Sequence, residues 1–350
     1  MSKQRLRVVQ WATGNIGTRA LREVIRHPAL ELAGVLVYDP AKAGVDAGEL
    51  CGEGPVGVIA TDDRAAIRAL GADCVLYMPR IFDIDDVVAL LDSGTNIVTT
   101  RGELFGGGHR LGDEPRQRIV DACAHGHSSI YATGSSPGFI SETLPLALLS
   151  LQRHVESIEI DEFADMSRRD SPHMIFEQMG FGKPLDSYDP RRAAYLVGEF
   201  SPSLALLAEA AGRPVEAWTG RGEVAAARET TQLVAGELPA GTVAAQRTTV
   251  VGTTEQGVEI IRFSANWYCT TDTEPAWDLR PTGWRVRVHG DAPFDVDLTF
   301  PVPVEDLGSV TPAYTANRPV NAVAYVCAAP PGILSTTDLP VMTTAGPPAS

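Results

Sequence analysis

Glu103 is the carboxylate whose position in the chain best suits proton chemistry. It follows residues 96–100, an apolar run that predicts a parallel strand, and it precedes three consecutive glycines at 106–108. Open α/β sheets bind ligands beyond the carboxyl ends of their strands, so we expect Glu103 at that edge. In an apolar, water-poor site a carboxylate binds ammonium, takes its proton and returns one to a leaving hydroxyl, and burial is expected to raise its pKa. A solvated loop charge is the alternative.

A glycine turn near the N-terminus indicates a dinucleotide. Residues 8–17, VVQWATGNIG, run from an apolar strand through a turn into a helix predicted over 16–27. Gly14 lets the backbone approach a pyrophosphate, Gly17 lets the helix pack on the sheet, and the first helical amides point at the phosphates. The usual fingerprint has glycine where this chain has Ala12, and a turn without a ligand stays the alternative. The predicted contacts are Thr13, Gly14, Asn15, Ile16 and Gly17.

Asp39 follows the second predicted strand, residues 32–38. It lies about twenty residues beyond Gly17, where an acidic residue meets the ribose hydroxyls of the cofactor. Asp39 disfavours a 2′-phosphate, whereas Lys42 offers such a phosphate a partner. We therefore expect both NAD and NADP to bind.

The remaining predicted cofactor contacts follow the third, fourth and fifth strands. The last of these segments, residues 131–139, crosses into a second domain, and its backbone is expected to hydrogen-bond the nicotinamide carboxamide. A boundary turn shaped by Pro and Gly is the alternative there. These contacts are Met78, Pro79, Thr99, Thr100, Gly134, Ser135 and Pro137.

A mixed apolar and polar segment over 166–179 suggests the lining of a pocket for a small, mostly apolar carbonyl or amine compound. A core helix capped by Ser171, with Pro172 at its first position, is the alternative. The predicted lining residues are Phe139, Met166, His173, Phe176 and Met179.

Alternating strands and helices must position these residues. Strands at 6–11, 32–38, 74–78, 96–100 and 129–133 with helices between them predict a Rossmann-type, doubly wound parallel sheet. Strands at 155–163, 258–267, 284–289 and 294–300 predict an α+β domain with an open, largely antiparallel sheet. Helices are predicted at 140–152, 173–179, 191–211 and 318–327, the third bent or broken at Ser201-Pro202 and the last with Pro319 in its first turn.

The predicted organisation has four parts. An NAD(P)-binding domain covers 1–138, and a substrate-binding and dimerisation domain covers 139–316. A helix returning to the first domain covers 317–334, and a flexible tail covers 335–350. The open second sheet must cover an apolar face, which predicts a homodimer.

Composition excludes several classes of protein. The chain has 350 residues, of which 44% are hydrophobic and 21% charged, an ordinary globular balance. Its 44 acidic and 29 basic residues give a formal charge of −15, which repels nucleic acid and anionic membranes. The sequence holds no run of ~20 apolar residues, and we expect a cytoplasmic protein. The five cysteines and the pair His125 and His127 lack metal-site or disulfide spacing, so no metal is expected.

Taken together, four segments resemble the family of 2,4-diaminopentanoate dehydrogenases and native amine dehydrogenases. They are VVQWATGNIG, TTRGE, YATGSSPGF and Val320-Asn321-Ala322 with residues 328–333. The resemblance implies NAD(P)-dependent, reversible conversion of a carbonyl compound and ammonia into an amine, on a cofactor domain like that of dihydrodipicolinate reductase. It implies that Glu103 is the catalytic carboxylate, that residues 14–17 hold the pyrophosphate and that Asn321 approaches the nicotinamide.

Dihydrodipicolinate reductases themselves carry a paired-histidine and lysine motif and an S-G-T segment in the second domain, and this chain has neither. That absence argues against a role in lysine synthesis. Two other possibilities stay open: a related imine or carbonyl reductase that needs no ammonia, and a protein that binds NAD(P) only to sense it.

Overall fold

The computed structural model describes residues 5–344, and the chain forms two compact units. One unit comprises the residues up to Phe139 together with those from Thr311 on, and the other is Ile140–Val310. The chain therefore crosses between the units twice. No helix within residues 5–344 has both the length and the apolar character needed to cross a membrane.

The first unit begins as a regular alternation of strands and helices. Its elements are β1 Leu6–Trp11, α1 Asn15–Arg26, β2 Leu30–Leu36, α2 Ala47–Cys51, α3 Arg64–Arg68, β3 Cys74–Tyr77, α4 Ile84–Asp92, β4 Asn96–Thr99, α5 Asp113–Gly126 and β5 Ser129–Ala132. The strands are short apolar runs, as expected of a sheet covered on both faces.

The second unit combines two α-helices with strands that range from 2 to 11 residues in length. Its elements are α6 Leu144–Leu149, β6 Val155–Asp165, α7 Arg191–Ala210, β7 Ala217–Ala227, β8 Thr231–Leu233, β9 Gly236–Leu238, β10 Val243–Thr253, β11 Glu259–Tyr268, β12 Thr273–Glu274, β13 Gly283–Gly290 and β14 Phe294–Thr299. The chain then forms α8 Leu307–Val326, β15 Gly332–Leu334 and a short 3-10 helix, Thr336–Asp338.

The sheet of the first unit has six parallel strands in the order β15-β5-β4-β3-β1-β2. Successive residues of β1 point to opposite faces. Val9 joins a core with α4 and α5, whereas Val8 joins a core with α1 and α8. Burial of both faces fixes the register of the strands, and it brings their carboxyl ends to one edge.

The second sheet is mixed, with seven strands in the order β12-β7-β10-β11-β6-β13-β14. Its strand pairs are antiparallel except β11 with β6. One face packs against α7, where Phe200 of the helix and Phe263 of β11 stack with their ring centroids 3.9 Å apart. Together with the parallel first sheet, this arrangement confirms the predicted fold class.

The opposite face of the second sheet is charged in its middle. Ile158 and Ile160 face α7, and the residue between them, Glu159, forms ion pairs with Arg262 at 2.5 Å and Arg287 at 2.6 Å. The expectation that this face carries apolar surface was wrong at these positions. Any second copy that binds here meets an ion-paired surface.

Several predicted element bounds were wrong. The predicted helix over 140–152 is shorter: the backbone is non-helical at residues 136–138, a π-helical turn ends at Thr143, and α6 ends at Leu149. Helix α7, Arg191–Ala210, matches the predicted 191–211 to within one residue, and it continues through Pro202, so it is not broken there. Helix α8 begins at Leu307, so Pro319 lies inside it and not in its first turn. Burial of Ala316, Val320 and Val323 in the first unit holds this segment helical despite its prolines.

Most of the predicted flexible tail packs on the first unit. Strand β15 pairs with β5 just before the predicted tail begins; within the tail, Leu339 is buried and the Thr343 amide donates to the Tyr325 hydroxyl at 2.9 Å. Its last part, residues 345–350, lies outside the described residues.

Candidate functional site

The glycine turn between β1 and α1 has the geometry of an anion site. Gly14 is the N-cap of α1, no side chain caps that helix end, and its first turn carries no acidic residue. Ala12 has a φ of +77°, which favours glycine and explains why the usual fingerprint has glycine at this position. The amide of the buried Gln10 supports the turn by donating to the Ala12 carbonyl at 2.9 Å.

The two glycines of the turn differ in what surrounds them. A Cβ at Gly17 would lie 2.1 Å from the Ala12 carbonyl oxygen, so Gly17 allows close packing of the helix on the turn. A Cβ at Gly14 would meet no heavy atom within 4 Å among residues 5–344 beyond its chain neighbours. The open space at Gly14, in front of uncapped helical amides, fits a pyrophosphate.

Lys42 lies beside this turn, and Asp39 precedes Lys42 at the start of the same short loop. The Asp39 carboxylate accepts a hydrogen bond from the Ala41 amide at 3.0 Å and so caps a short 3-10 turn. The Lys42 ammonium donates to the Thr13 carbonyl at 2.9 Å. Lys42 therefore places a positive charge on the turn that precedes Gly14.

Tyr38 is a residue that the sequence reasoning missed. Its hydroxyl accepts a hydrogen bond from the Trp11 indole at 2.9 Å, and the Arg64 guanidinium lies 5.7 Å from the centre of its ring. Tyr38 lies between β2 and Asp39 and is about half exposed. An aromatic residue directly before Asp39, the predicted ribose contact, was the available signal.

The ends of β3 and β4 are joined by side-chain hydrogen bonds. The Thr99 hydroxyl donates to the Tyr77 carbonyl at 2.6 Å and accepts from the Arg101 amide at 3.1 Å. Met78 and Pro79 follow β3, and Thr100 follows β4, so these predicted cofactor contacts share the carboxyl edge of the sheet.

Glu103 lies just past β4, as predicted, and is paired with Arg101. The Arg101 Nε atom donates to Glu103 Oε2 at 3.1 Å, and its Nη2 atom pairs with Oε1. Burial alone raises the pKa of Glu103, but the hydrogen bonds and positive charge of Arg101 lower it by more. The pKa therefore lies below that of an ordinary glutamate, and the expected increase was wrong.

The glycine run after Glu103 is required by the backbone. Gly106, Gly107 and Gly108 have φ of +59°, +73° and +73°, in the left-handed region that residues with a Cβ avoid. Arg116 of α5 donates from Nε to the Gly107 carbonyl at 2.8 Å and ties the run to the helix behind it. The segment that carries Glu103 is thus fixed at both ends.

The segment after β5 contacts α8. The Ser135 and Thr315 hydroxyls are hydrogen-bonded at 2.6 Å, and the Arg318 Nε atom donates to the Thr133 hydroxyl at 2.7 Å. The Arg318 guanidinium also lies 5.8 Å from the centre of the Phe139 ring. Sequence reasoning missed Arg318, which gave no signal beyond its place in a helical pattern. The other predicted residues here are Gly134 and Pro137 in the same segment and Asn321, half-buried, one turn after Arg318.

Four of the five predicted substrate-lining residues belong to the second unit. Met166 and Phe176 pack against a core cluster, and the exposed His173 lies 2.9 Å from Glu177. Met179 lines a cavity of about 340 Å³ whose wall also includes Arg192 and Gln246, joined at 2.7 Å. The fifth residue, Phe139, ends the first stretch of the other unit.

Within residues 5–344, no group of three or more His, Cys, Asp or Glu side chains is arranged to hold a metal ion. The five cysteines are free thiols. His125 forms an exposed pair with Asp92 at 2.6 Å.

The chain combines a doubly wound parallel sheet, with an uncapped glycine turn at its carboxyl edge, and a unit built on an open mixed sheet, which is a two-domain α/β and α+β architecture. No protein-family model matches the chain. An amine dehydrogenase from Streptomyces virginiae is 30% identical over 348 residues, covering 95% of this chain and 96% of that protein. The chain belongs to the amine dehydrogenase family, which confirms the predicted family and enzyme class.

Two further proteins are similar to this chain, one in its fold and one over a short part of its sequence. The structure of amine dehydrogenase from Mycobacterium smegmatis matches with a TM-score of 0.75 and 18% identity over 97% of each chain. A 4-hydroxy-tetrahydrodipicolinate reductase from Anaeromyxobacter sp. (strain Fw109-5) is 45% identical over 69 residues, covering 20% of this chain and 25% of that protein. The second similarity is thus confined to a short part of both chains.

Proposed function

We propose that this chain is an NAD(P)-dependent amine dehydrogenase that reductively aminates a small aliphatic or cyclic ketone or aldehyde, reversibly, with ammonia. The observation that supports this most directly is the ionised Glu103 at the carboxyl end of β4, on the same sheet edge as the glycine turn. An enzyme that forms an amine from a carbonyl compound and ammonia would use an anion there to bind ammonium and a dinucleotide nearby for reduction.

The turn fits a dinucleotide, and residues 13–17 would hold its pyrophosphate with main-chain amides. Asp39 would bind the ribose hydroxyls, and Lys42, already on the Thr13 carbonyl, would meet a phosphate. The ends of β3, β4 and β5, with Asn321, would surround the nicotinamide, which supplies the hydride when bound. With Asp39 and Lys42 together, we expect both NAD and NADP to be used.

Glu103 would accept and donate the protons of the reaction. Its carboxylate takes one proton from ammonium, and the freed nitrogen pair forms a C–N bond with the carbonyl carbon as the C=O electrons move to oxygen. That oxygen receives a proton from the attached nitrogen. Glu103 then donates its proton to the hydroxyl, the C–O bond breaks, and water leaves an iminium that accepts hydride.

The substrate we propose is small and mostly apolar. Phe139 offers an aromatic surface at the end of the first unit, and Phe176 and Met179 are the apolar candidates of the second. A 2,4-diaminopentanoate substrate is the alternative, and it would require fixed charges for a carboxylate and a second amine. Substrate panels separate the two.

Consumption of NADH and NADPH with a panel of ketones and aldehydes, with and without concentrated ammonium at alkaline pH, tests the proposal. We expect oxidation that requires ammonium. Equal oxidation without ammonium would identify an imine or carbonyl reductase, and binding of cofactor without turnover would favour an NAD(P)-sensing protein. The homodimer and the cytoplasmic location stay predictions, and a monomeric mass in dilute solution would contradict the first.

A further inference from the structure

The Arg101–Glu103 pair is a partly buried ion pair with two contacts between the side chains. The two side chains are 24% and 29% exposed, and both oxygens of the Glu103 carboxylate are engaged by the guanidinium. Planar, two-point pairing of this kind fixes the orientation of a carboxylate as well as its charge.

Arg101 is itself held in place by the end of β3. Its Nη1 atom donates to the Arg80 carbonyl at 2.8 Å and the Pro79 carbonyl at 3.4 Å, while its main-chain amide donates to Thr99. Moving the guanidinium away would break the contacts to both main-chain carbonyls in addition to the ion pair. The Arg101 side chain is therefore anchored independently of its ion pair with Glu103.

We propose that Arg101 is a positioning residue that holds the Glu103 carboxylate in one orientation at the carboxyl edge of the sheet, so that ammonium shares the carboxylate with a guanidinium that remains in place. This inference rests on the proposed function. Each carboxylate oxygen has two acceptor positions, so two-point pairing with Arg101 leaves acceptor capacity for an ammonium ion.

The charges that act on Glu103 come from its own segment. Arg101 and Arg110 are the cations that lower its pKa, and the loop after β3 contributes main-chain carbonyls at Pro79 and Arg80. With its pKa lowered, Glu103 is an anion over a wider pH range and, once protonated, a stronger acid for expelling water, although its carboxylate is a weaker base. Removing Arg101 should therefore raise the pKa of Glu103, which narrows the pH range in which Glu103 is an anion and makes its protonated form a weaker acid.

The test uses Arg101→Gln, Arg101→Lys and, as a matched control, Arg118→Gln. Arg118 forms an exposed pair with Asp85, so its loss changes the net charge equally without touching the sheet edge. The readouts are the pH profile of kcat/KM for ammonium and an infrared titration of the Glu103 carboxyl without cofactor, referenced to Glu103→Gln. NAD(P)H affinity verifies that each variant is folded.

For Arg101→Gln we expect the acid limb and the carboxyl titration to move to higher pH, and kcat/KM for ammonium to fall about tenfold or more at neutral pH. Arg101→Lys should return the acid limb toward the wild-type pH more fully than it returns kcat/KM, because lysine supplies the charge but not the two-point pairing of a guanidinium. Arg118→Gln should match the wild type.

A wild-type titration and pH profile in Arg101→Gln would overturn the inference. If Arg101→Gln does not fold, the same comparison is made with Arg101→Lys, where an unchanged rate overturns it. Absence of ammonium-dependent turnover in the wild type would instead refute the proposed function, and the infrared titration would still decide the role of Arg101.

Discussion

Replacing each glycine of the cofactor turn with alanine should separate folding from binding. In Gly17→Ala the added Cβ would lie 2.1 Å from the Ala12 carbonyl oxygen and 3.0 Å from Nε2 of the Gln10 side chain. The first of these atoms is backbone and cannot move aside alone. In Gly14→Ala the added Cβ meets no described atom, and the backbone there, at φ −72° and ψ −170°, suits any residue.

The magnitudes follow from these contacts. Overpacking of this kind costs about 1–3 kcal/mol, and alanine recovers about 1 kcal/mol of helix propensity over glycine. Because the clash is with backbone, we expect a net loss of about 2 kcal/mol for Gly17→Ala. For a unit of this size that corresponds to a Tm lower by about 4–8 °C. Gly14→Ala should lose less than about 1 kcal/mol.

Cofactor affinity should change in the opposite order. The Cβ of Gly14→Ala points into the space in front of the α1 amides, so we expect the Kd for NADH to rise at least about tenfold with little change in Tm. Thermal unfolding and titration of NADH fluorescence measure the two effects. A wild-type Tm for Gly17→Ala would refute the packing argument, and a wild-type Kd for Gly14→Ala would refute the position of the pyrophosphate.

Three further predictions concern single side chains. Glu103→Gln should lower the amination rate about 10²–10⁴-fold with unchanged NAD(P)H affinity, and steady-state kinetics showing full activity would remove Glu103 from the mechanism. Lys42→Ala should weaken binding of NADPH more than binding of NADH, as measured by fluorescence titration, and equal losses would assign Lys42 to the pyrophosphate alone. Burial raises the pKa of Glu159, but Arg262 and Arg287 lower it by more, so the folded pKa lies below the unfolded value of about 4.3. The stabilising effect of Glu159 is therefore complete above pH ~4.3 and is lost as the pH falls through the folded pKa. The Tm difference between the wild type and Glu159→Gln should therefore be larger at neutral pH than in acid, and a constant difference would contradict this.

The first unit was largely predictable because its strands are buried on both faces. Strands of this kind are continuous apolar runs between turn residues, and the predicted bounds of β1 match the structure at both ends. The position of Glu103 followed from the same rule, since it depends only on the strand before it.

The second unit was less predictable because polar residues interrupt its strands. Strand β10 contains Gln246 and Arg247, and β7 contains alternating small and charged residues with many exposed positions, so neither run shows a simple pattern. Gln246 is nevertheless buried, because Arg192 and the Met179 carbonyl satisfy its amide. Such pairings between distant residues are invisible in a single sequence.

The partners of the site residues were unpredictable for the same reason. Arg101 stands in the motif beside Glu103, but only the fold shows that its side chain turns back to the carboxylate and reverses the direction of the pKa change. Likewise, Lys42 lies near Asp39 in sequence, yet its contact with Thr13 depends on how the loop after β2 folds back.

Reaction of the wild-type enzyme with a small ketone, NADPH and ¹⁵N-labelled ammonium, followed by mass spectrometry of the product, tests the central claim most directly. The account predicts a primary amine that carries the label, formed in equal amount to the NADPH oxidised and absent when ammonium is omitted. An alcohol as the product, or NADPH oxidation at the same rate without ammonium, would contradict it.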